Sequence, residues 1–417
     1  MNFLFQKYRI YLDYAALTPV DPRVLRKVKQ FSSPVFGNAS AFSKEGVSAE
    51  KALAEARQSI ARSIQAHADE IVFTSGGTEA NGLALEGAAR AAHRDGNQKL
   101  HLVISAIEHS SVIECAAMME RHGVEVTRLP VNSAGLISLD ELKKALKPST
   151  FMVSIMSVNN EIGSIQPIRE IAKVIRQARE HVTKNARYPL FHTDAAQAPL
   201  YVDLNAEKLG VDLMTLDASK AYGPRGIGLL YVRRGTPIEP IIYGGGQEHG
   251  LRSGTENIPA IMGFACALEI AVHDRAAETE RITALKECFW RELLAVEPRI
   301  RVQGPAPLGV LGRHFSRDDE SAEVAMSLRH ERSLPCAPHI LNVSIPDIDN
   351  EFFVLQLDAR GIACSTKSSC LRNEDESYVL RALGLDSRTS VRFSFGRWTK
   401  RRHVESAVRA IRRILAK

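Results

Sequence analysis

Four side chains that can bind or activate a carbonyl compound stand where apolar runs of the sequence end. Lys220 follows the run that ends at Leu216. Asp194 and Gln197 follow a second apolar run, and His109 closes a third. A lysine amine can form a Schiff base with an aldehyde, while histidine and carboxylate side chains can hold or transfer protons beside it. These residues therefore indicate carbonyl chemistry, provided that the fold brings them together.

The apolar runs have the length and spacing of β-strands in an α/β fold. They alternate with amphipathic, helix-like segments such as 45–65 and 168–179, which is the pattern of a mostly parallel sheet covered by helices. In open sheets of this kind, ligands bind beyond the carboxyl ends of the strands, so the polar residues should meet at one edge. The predicted strands are 71–74, 100–105, 151–156, 190–193, 213–216 and 228–232.

Pyridoxal phosphate is the cofactor that this set of side chains suits. It needs an amine to hold its aldehyde, a carboxylate to keep its pyridine nitrogen protonated and a ring against its face. Gly77 and Thr78 follow a strand and begin a helix, so free N–H groups, the helix dipole and the Thr78 hydroxyl can bind a phosphate. No Cys/His pattern proposes a zinc site, and no metal is predicted.

Short motifs spread along the chain add to this set. They lie at 11–16, 73–81, 108–109, 158–163, 194–197, 220–228, 244–248, 252–255, 377–384 and 391–397. In this order they resemble the motifs of cysteine desulfurases, which are class V aminotransferases of fold type I. The resemblance covers nearly the whole chain. It implies an α/β fold with a large domain, built on a mostly parallel sheet of the seven-stranded type, and a smaller α+β domain.

The resemblance also implies a role for each polar residue around the cofactor. Lys220 would hold the cofactor, and His109 would stack on the pyridine ring and shuttle protons. Asp194 would pair with the pyridine nitrogen, where a charge-assisted hydrogen bond favours the protonated ring. Gln197 and Asn160 match groups that hydrogen-bond the phenolic oxygen of the cofactor and the substrate region.

Thr255 and Arg392 extend the implied site. Thr255 lies in the Gly-rich loop 244–255, whose counterpart in the family reaches the phosphate of the neighbouring subunit, which implies a homodimer. Arg392 lies between apolar residues, where an arginine needs a partner. Its guanidinium suits the α-carboxylate of an amino acid, and the family uses the matching arginine in this way.

Cys370 decides the reaction that the resemblance implies. Small and polar residues surround it, which favours an accessible loop, and this loop resembles the catalytic loop of the desulfurases. The thiolate would attack the sulfur of L-cysteine, so that L-alanine leaves and a persulfide stays on Cys370 for a sulfur-acceptor protein. Cys364 falls where the family has an apolar residue, and we expect it to be inert.

Residues 217–220 depart from the family, which has Ser-x-His-Lys at this place. Asp217 replaces a phosphate-binding hydroxyl, and Ser219 replaces a phosphate-contacting histidine. Because an aspartate would repel a phosphate, we expect the Asp217 carboxylate to face away and Ser219 to supply the missing hydroxyl. Lys367 replaces a glycine in the Cys370 loop, where it would either restrict the loop or lower the pKa of the thiol.

The length of the chain predicts two domains. Its 417 residues exceed the ~250 to 300 residues at which single cores stop growing. After about residue 262 the pattern changes to a long helical stretch, 263–294, followed by short strands at 340–345 and 391–395. We therefore predict a large cofactor domain over 16–262 and a small domain formed by 1–15 and 263–417, with an insertion at about 305–338.

Composition and charge indicate a globular protein of the cytoplasm. Hydrophobic residues make up 45% and charged residues 24% of the chain, which is ordinary for such proteins. The net charge of +6 is spread along the chain, and the basic stretch 397–402 indicates a solvated surface, not a nucleic-acid site. No apolar run approaches the ~20 residues that cross a bilayer, and the N-terminus lacks the layout of a secretory or transit signal. Six cysteines do not indicate a disulfide scaffold.

Two other functions are compatible with these residues. One is a different reaction on the same cofactor, selenocysteine lysis or aminotransfer, neither of which strictly needs the Cys370 thiol. The other is a catalytically silent scaffold for sulfur transfer, which the changes at Asp217 and Ser219 would allow. The sequence does not name the sulfur acceptor, which could serve iron-sulfur cluster assembly or tRNA thiolation.

Overall fold

A sheet of seven strands forms the centre of the computed structural model, which describes residues 9–183, 185, 187–305, 336–368 and 376–416. Strands and helices are numbered in chain order. The central strands are β2 (Ile71–Thr74), β3 (His101–Ser105), β4 (Glu125–Leu129), β5 (Thr150–Ser154), β6 (Leu190–Asp194), β7 (Leu213–Asp217) and β8 (Gly228–Val232). Their spatial order is β2-β8-β7-β6-β5-β3-β4.

Most of this sheet is parallel, which confirms the predicted α/β class. Five neighbouring strands pair in parallel, in the order β7-β6-β5-β3-β4. Strand β8 runs antiparallel to both of its neighbours, β2 and β7. All residues of β2, β3, β5 and β6 are buried. Strands covered on both faces read as continuous apolar runs, and this is why the sequence marks them so clearly.

Helices cover both faces of the central sheet and enclose two apolar cores. In the helix over residues 168–181, for example, Ile168, Ile171, Ala172, Ile175 and Ala178 are buried, which is the spacing of one helical face. The helices are α1 (Pro22–Ser32), α2 (Lys44–Ser63), α3 (Gly77–Arg94), α4 (Ser110–Arg121), α5 (Leu139–Ala145), α6 (Ile168–His181), α7 (Ala206–Leu209), α8 (Ile258–Val296), α9 (Asn350–Asp358), α10 (Tyr378–Ala382) and α11 (Arg401–Leu415).

A smaller antiparallel sheet has a core of its own. It consists of β9 (Arg301–Val302), β10 (Ile340–Ser344) and β12 (Ser390–Ser394) in the order β12-β10-β9. The rings of Phe393 and Phe395 pack edge-on against Phe289 of α8, with centroids 4.9 and 5.5 Å away. A further strand, β1 (Ile10–Tyr11), pairs in parallel with β11 (Ile362–Ala363).

The long helix α8 joins the regions around the two sheets. It runs from Ile258 to Val296, so the predicted boundary at residue 262 falls inside one helix. Its first half packs into the core beside the central sheet and its second half into the core of the smaller sheet. The division into 16–262 and 1–15 with 263–417 stays a prediction. None of the helices in the described ranges is both long and apolar enough to cross a membrane.

Candidate active site

A cavity of about 180 Å³ lies beyond the carboxyl ends of the parallel strands. Its lining brings together most of the residues that the sequence singles out, although they are far apart in the chain. Those in the lining are Gly77, Thr78, His109, Asn160, Asp194, Gln197, Ser219, Lys220 and Arg392. Cys370 lies outside the described residues.

Lys220 is held at the end of a short turn that follows β7. Its Nζ donates hydrogen bonds to the carbonyl oxygens of Ala16 and, at 3.3 Å, of Ala15. The preceding carbonyl, of Ser219, accepts hydrogen bonds from the hydroxyl of Thr18 at 2.8 Å and from its N–H at 3.0 Å. The segment 15–18 therefore fixes both the turn and the direction of the amine, which points into the cavity.

A hydrogen-bonded chain links the histidine and the carboxylate of the site. Nδ1 of His109 lies 2.8 Å from the hydroxyl oxygen of Ser111. The Nδ2 group of Asn81 donates to that hydroxyl at 2.8 Å and to Asp194 at 2.7 Å. The second Asp194 oxygen accepts the N–H of Ala196 at 2.9 Å. These contacts fix the orientation of the imidazole and of the carboxylate, and the sequence patterns indicated neither Asn81 nor Ser111.

Gln197 is fixed from two sides. Its Nε2 donates to the carbonyl of Ala15 at 2.9 Å, and its Oε1 lies 3.3 Å from Nε2 of His339. His339 stacks on Tyr201 with ring centroids 4.4 Å apart. Burial lowers the pKa of His339 to about 3, and nearby cationic side chains add to the effect. His339 is therefore neutral, and because an amide oxygen only accepts, its Nε2–H is the donor to Gln197.

Asp217 faces the cavity, so the expectation that it turns away is wrong. One carboxylate oxygen accepts the N–H of Gly77, the first residue of α3, at 3.0 Å. The other accepts the N–H of Ser219 at 2.7 Å. Free N–H groups at a helix N-terminus attract an anion, and in this chain the nearest anion is the carboxylate at the end of β7. Thr78 and Ser219 line the cavity beside it.

Arg392 is buried and already has a carboxylate partner. Only 1% of its surface is exposed, and Nη2 donates to Asp13 at 2.9 Å while Nη1 donates to the carbonyl of Asn160 at 2.9 Å. The hydroxyl of Ser365 donates to the second Asp13 oxygen at 2.7 Å. Within the described residues Nε of Arg392 has no hydrogen-bond acceptor, so an acceptor in the cavity could satisfy it. Asp13 escaped the sequence analysis because 379 positions separate it from Arg392.

Glu108 lies beneath the cavity as a fully buried acid. Burial, with a smaller contribution from the negative charge of Asp194, raises the pKa of its carboxyl to about 8. Hydrogen bonds from the Ser105 hydroxyl and the Met156 N–H act in the opposite direction. Below pH 8 the carboxyl is therefore mainly neutral, and it adds no negative charge beside His109.

The residues on either side of segment 369–375, which contains Cys370, are tied to one buried acid. Glu161 accepts the N–H of Ser368 at 3.2 Å with one oxygen and the hydroxyl of Ser377 at 2.6 Å with the other. Ser368 lines the cavity.

Two further positions near that segment differ in their surroundings. Cys364 is buried, and burial raises the pKa of its thiol well above the usual range, which agrees with the expected inert role. Nζ of Lys367 lies 3.9 Å from Glu351, with 11% of the lysine side chain exposed.

Thr255 does not reach the cavity of its own chain. It is exposed in the loop before α8 and is absent from the cavity lining. A role at a neighbouring subunit stays a prediction. Across the described part of the chain, no group of histidine, cysteine, aspartate and glutamate residues could hold a metal ion.

Comparison with known proteins identifies the family. The sequence pattern of the aminotransferase class-V family matches residues 10–316. The chain belongs to this family.

Among the relatives is the cysteine desulfurase IscS of Dictyoglomus turgidum, which is 37% identical over 415 residues, covering 99% of this chain and 95% of that protein. A solved structure of a NifS-like protein superposes with a TM-score of 0.84 at 30% identity, covering 98% of this chain and all of the other. The solved structure of SspA in complex with cysteine gives a TM-score of 0.69 at 32% identity over 93% of this chain and 98% of that one.

Enzymes of this family depend on pyridoxal phosphate, and the side chains of the cavity fit its ring. An amine, an oriented carboxylate, an imidazole and an amide line one wall, and the orphaned Oδ1 of Asn81 and Nε of Arg392 leave polar capacity beside them in the described residues. Lys220 would hold the aldehyde carbon, Asp194 the pyridine nitrogen and His109 the ring face. At the N-terminus of α3 the fit is less complete, because Asp217 takes the N–H of Gly77.

Proposed function

We propose that this protein is a cysteine desulfurase, which converts L-cysteine to L-alanine and leaves the sulfur as a persulfide on Cys370. The observation that carries the proposal is the cavity that gathers Lys220, Asp194, His109 and Arg392 and is also lined by Ser368, two positions before Cys370. Relatives of the same length that are named cysteine desulfurases support it.

Each residue has a chemical task in this reaction. The bound cofactor would supply an electron sink for the substrate Cα, and Asp194 would keep its nitrogen protonated. Lys220 would hold the cofactor through its side-chain amine. His109, oriented by Ser111, is placed to move a proton at the cavity wall.

Arg392 and Cys370 complete the set on the substrate side. The guanidinium of Arg392, oriented by Asp13, would bind the α-carboxylate of L-cysteine and so turn the thiol towards the opposite wall. The Cys370 thiolate would attack the substrate sulfur, forming an S–S bond while the bond between Cβ and sulfur breaks. The substrate carbon skeleton leaves as L-alanine after protonation.

We also propose that the protein works as a homodimer. Phe36, Phe42 and Tyr243 expose 75%, 104% and 68% of their surfaces, and apolar residues of this size on a surface indicate contact with another protein. Tyr243 lies next to the loop 244–255, so a partner on this side would meet the exposed Thr255.

The sulfur then passes to an acceptor protein, in iron-sulfur cluster assembly or tRNA thiolation. We propose the cytoplasm as the location of the protein.

The test is product formation by the purified protein loaded with pyridoxal phosphate. We expect L-alanine and sulfide from L-cysteine in the presence of a thiol, and none from the Lys220→Ala variant. Assays with L-selenocysteine, and with L-alanine plus a keto acid, are run in parallel. A loaded protein that turns over only selenocysteine, or only transfers amino groups, would contradict the proposal, and a protein inactive on all three would favour the silent scaffold.

A further inference from the structure

Asp217 stands where the family has a hydroxyl that binds the cofactor phosphate. It is the last residue of β7, and its two oxygens accept the N–H of Gly77 at 3.0 Å and of Ser219 at 2.7 Å. A Cβ atom added to Gly77 would lie 3.3 Å from the nearer oxygen, so the carboxylate sits directly against the first residue of α3. Asp217, Gly77, Thr78 and Ser219 all line the cavity.

This contact replaces a helix cap that α3 lacks. The residue before the helix is Gly76, which has no side chain to accept the first N–H groups. Uncapped N–H groups at a helix start need a partner, and a negative charge there is favourable. Asp217 therefore caps α3 from a distant point of the sequence, 140 positions away.

The same N–H groups are the ones that a phosphate would use. Helix N-termini bind phosphates through free N–H groups and the positive end of the dipole, and the glycine and threonine at the start of α3 are the phosphate-binding residues predicted for this chain. A phosphate that enters must share Gly77 with the carboxylate or displace it, and the two anions repel each other.

We propose that Asp217 is a built-in anion that competes with the cofactor phosphate for the N-terminus of α3. It caps the helix while the cofactor is absent, and it makes the chain bind the phosphorylated cofactor less tightly than a chain with a neutral residue at this position. The inference rests on the proposed function only in placing pyridoxal phosphate in this cavity.

The experiment compares the binding of pyridoxal phosphate with that of pyridoxal, which lacks the phosphate. Cofactor-free wild type, Asp217→Asn and Asp217→Ser are titrated with each compound at one pH and ionic strength, and the dissociation constants are read from absorbance or fluorescence. Removing the charge should tighten the binding of pyridoxal phosphate about tenfold and leave pyridoxal within about twofold. Glu50→Gln, which removes an exposed carboxylate beyond the first turn of α2, is the control for net charge.

A second readout uses the cofactor-free proteins alone. Asp217→Ser should unfold at a lower temperature than wild type, because the N-terminus of α3 loses its charged cap, while Glu50→Gln should not. A merely structural role of Asp217 would lower only the stability of the cofactor-free variant. Competition predicts in addition that the variant binds pyridoxal phosphate more tightly.

Two results would overturn the proposal. Equal affinities of wild type and Asp217→Asn for pyridoxal phosphate, or a weaker affinity in the variant, would mean that the carboxylate does not oppose the phosphate. Failure of every chain to bind pyridoxal phosphate would remove the proposed function as well. Binding of pyridoxal phosphate without formation of L-alanine would contradict the proposed function. The competition between Asp217 and the cofactor phosphate could still be measured in that case.

Discussion

The guanidinium of Arg392 has a fixed direction before any substrate arrives. Asp13 and the carbonyl of Asn160 hold its two terminal nitrogens, and the neighbouring Ser365 holds Asp13 in turn. A buried arginine that is oriented in this way does not have to be ordered by its ligand, which lowers the cost of binding. The planar fork matters here as much as the charge.

Arg392→Lys tests this assignment without leaving Asp13 as an unpaired buried charge. The lysine can pair with Asp13 but cannot also present a planar fork to a carboxylate, so we expect KM for L-cysteine to rise about 10- to 100-fold with a smaller change in kcat. Steady-state L-alanine formation measures both constants.

Arg397→Lys is the matched control. Arg397 pairs with Asp21 and lies 3.3 Å from Asp274, and it does not line the cavity. The KM of the Arg397→Lys variant for L-cysteine should stay within about twofold of the wild-type value. If the two variants behaved alike, Arg392 would not be the carboxylate-binding residue.

Lys220→Arg keeps the positive charge but removes the primary amine. The variant should bind pyridoxal phosphate without a covalent bond, so that gel filtration in a phosphate-containing buffer strips the cofactor and borohydride fixes none of it to the protein. The wild type should retain the cofactor and carry it on the peptide with Lys220. Fixation at another lysine would contradict the assignment.

The sequence predicted most of the polar residues of the cavity because each follows a strand of a parallel sheet, and such strands end at the same edge. It gave no partner role to Asp13, Asn81, Glu108 or His339, because most of their contacts join positions far apart in the chain, as for Asn81 and Asp194, 113 positions apart. The prediction for Asp217 was wrong, because it considered the repulsion between the carboxylate and a phosphate but not the attraction of the carboxylate to the free N–H groups of α3.

At the scale of elements, Glu161 ties Ser368 in the wall of the cavity to Ser377 at the start of α10. It lies in the turn after β5 and is fully buried, and it binds Ser368 and Ser377 with separate oxygens. One side chain thus holds both Ser368 and Ser377. We expect this tie to reduce the entropy that is lost when Cys370 meets the substrate.

Glu161→Gln should slow the chemical step and spare the cofactor. A glutamine has one acceptor oxygen in place of two, so the hydrogen bond to Ser368 or to Ser377 is weakened. Single-turnover L-alanine release should fall about tenfold, while the dissociation constant of pyridoxal phosphate stays unchanged. Glu141→Gln, at an exposed site on α5, should match wild type. An unaltered rate in Glu161→Gln would show that the tie is not needed.

The sequence was more reliable for buried elements than for exposed ones. Strands β2 and β8 were predicted with the limits that the structure shows, since their apolar runs are continuous. Strand β4 was not predicted, because it lies at the sheet edge and only Leu129 of its five residues is buried. An edge strand of this kind, with a mixed polar sequence, has no pattern that distinguishes it from a loop.

At the scale of the whole molecule, the cavity is shared by the surroundings of both sheets. Lys220, Asp194 and His109 come from the ends of central strands, whereas Arg392 comes from the smaller sheet. Several of the groups that position these residues are buried acids and histidines, so assembling the site has consequences for stability. Glu108 is the clearest case.

Glu108 should make stability depend on pH. Its carboxyl has a pKa of about 8 in the fold against the ordinary 4.5, so between these values the folded chain binds a proton that the unfolded chain has lost. The contribution of this group is fully present below pH 4.5 and is lost as the pH rises to about 8, with a slope of at most ~1.4 kcal/mol per pH unit.

Denaturant unfolding of the cofactor-free protein at pH 5.5 and 8.5 measures the effect. Wild type should lose more free energy of unfolding than Glu108→Gln over this interval, because the glutamine side chain does not ionise. Glu141→Gln serves as the control and should follow wild type. Equal losses in wild type and Glu108→Gln would contradict the raised pKa.

The central claim is that Cys370 takes the sulfur of L-cysteine, and a single-turnover experiment tests it most directly. Protein loaded with pyridoxal phosphate is mixed with less than one equivalent of L-cysteine, L-alanine is quantified, and the peptide with Cys370 is weighed by mass spectrometry, with Cys370→Ser and Cys364→Ser in parallel. The account predicts stoichiometric L-alanine with one added sulfur on Cys370 in wild type and Cys364→Ser, and neither in Cys370→Ser. L-alanine formation by Cys370→Ser at the wild-type rate, or sulfur on Cys364, would contradict it.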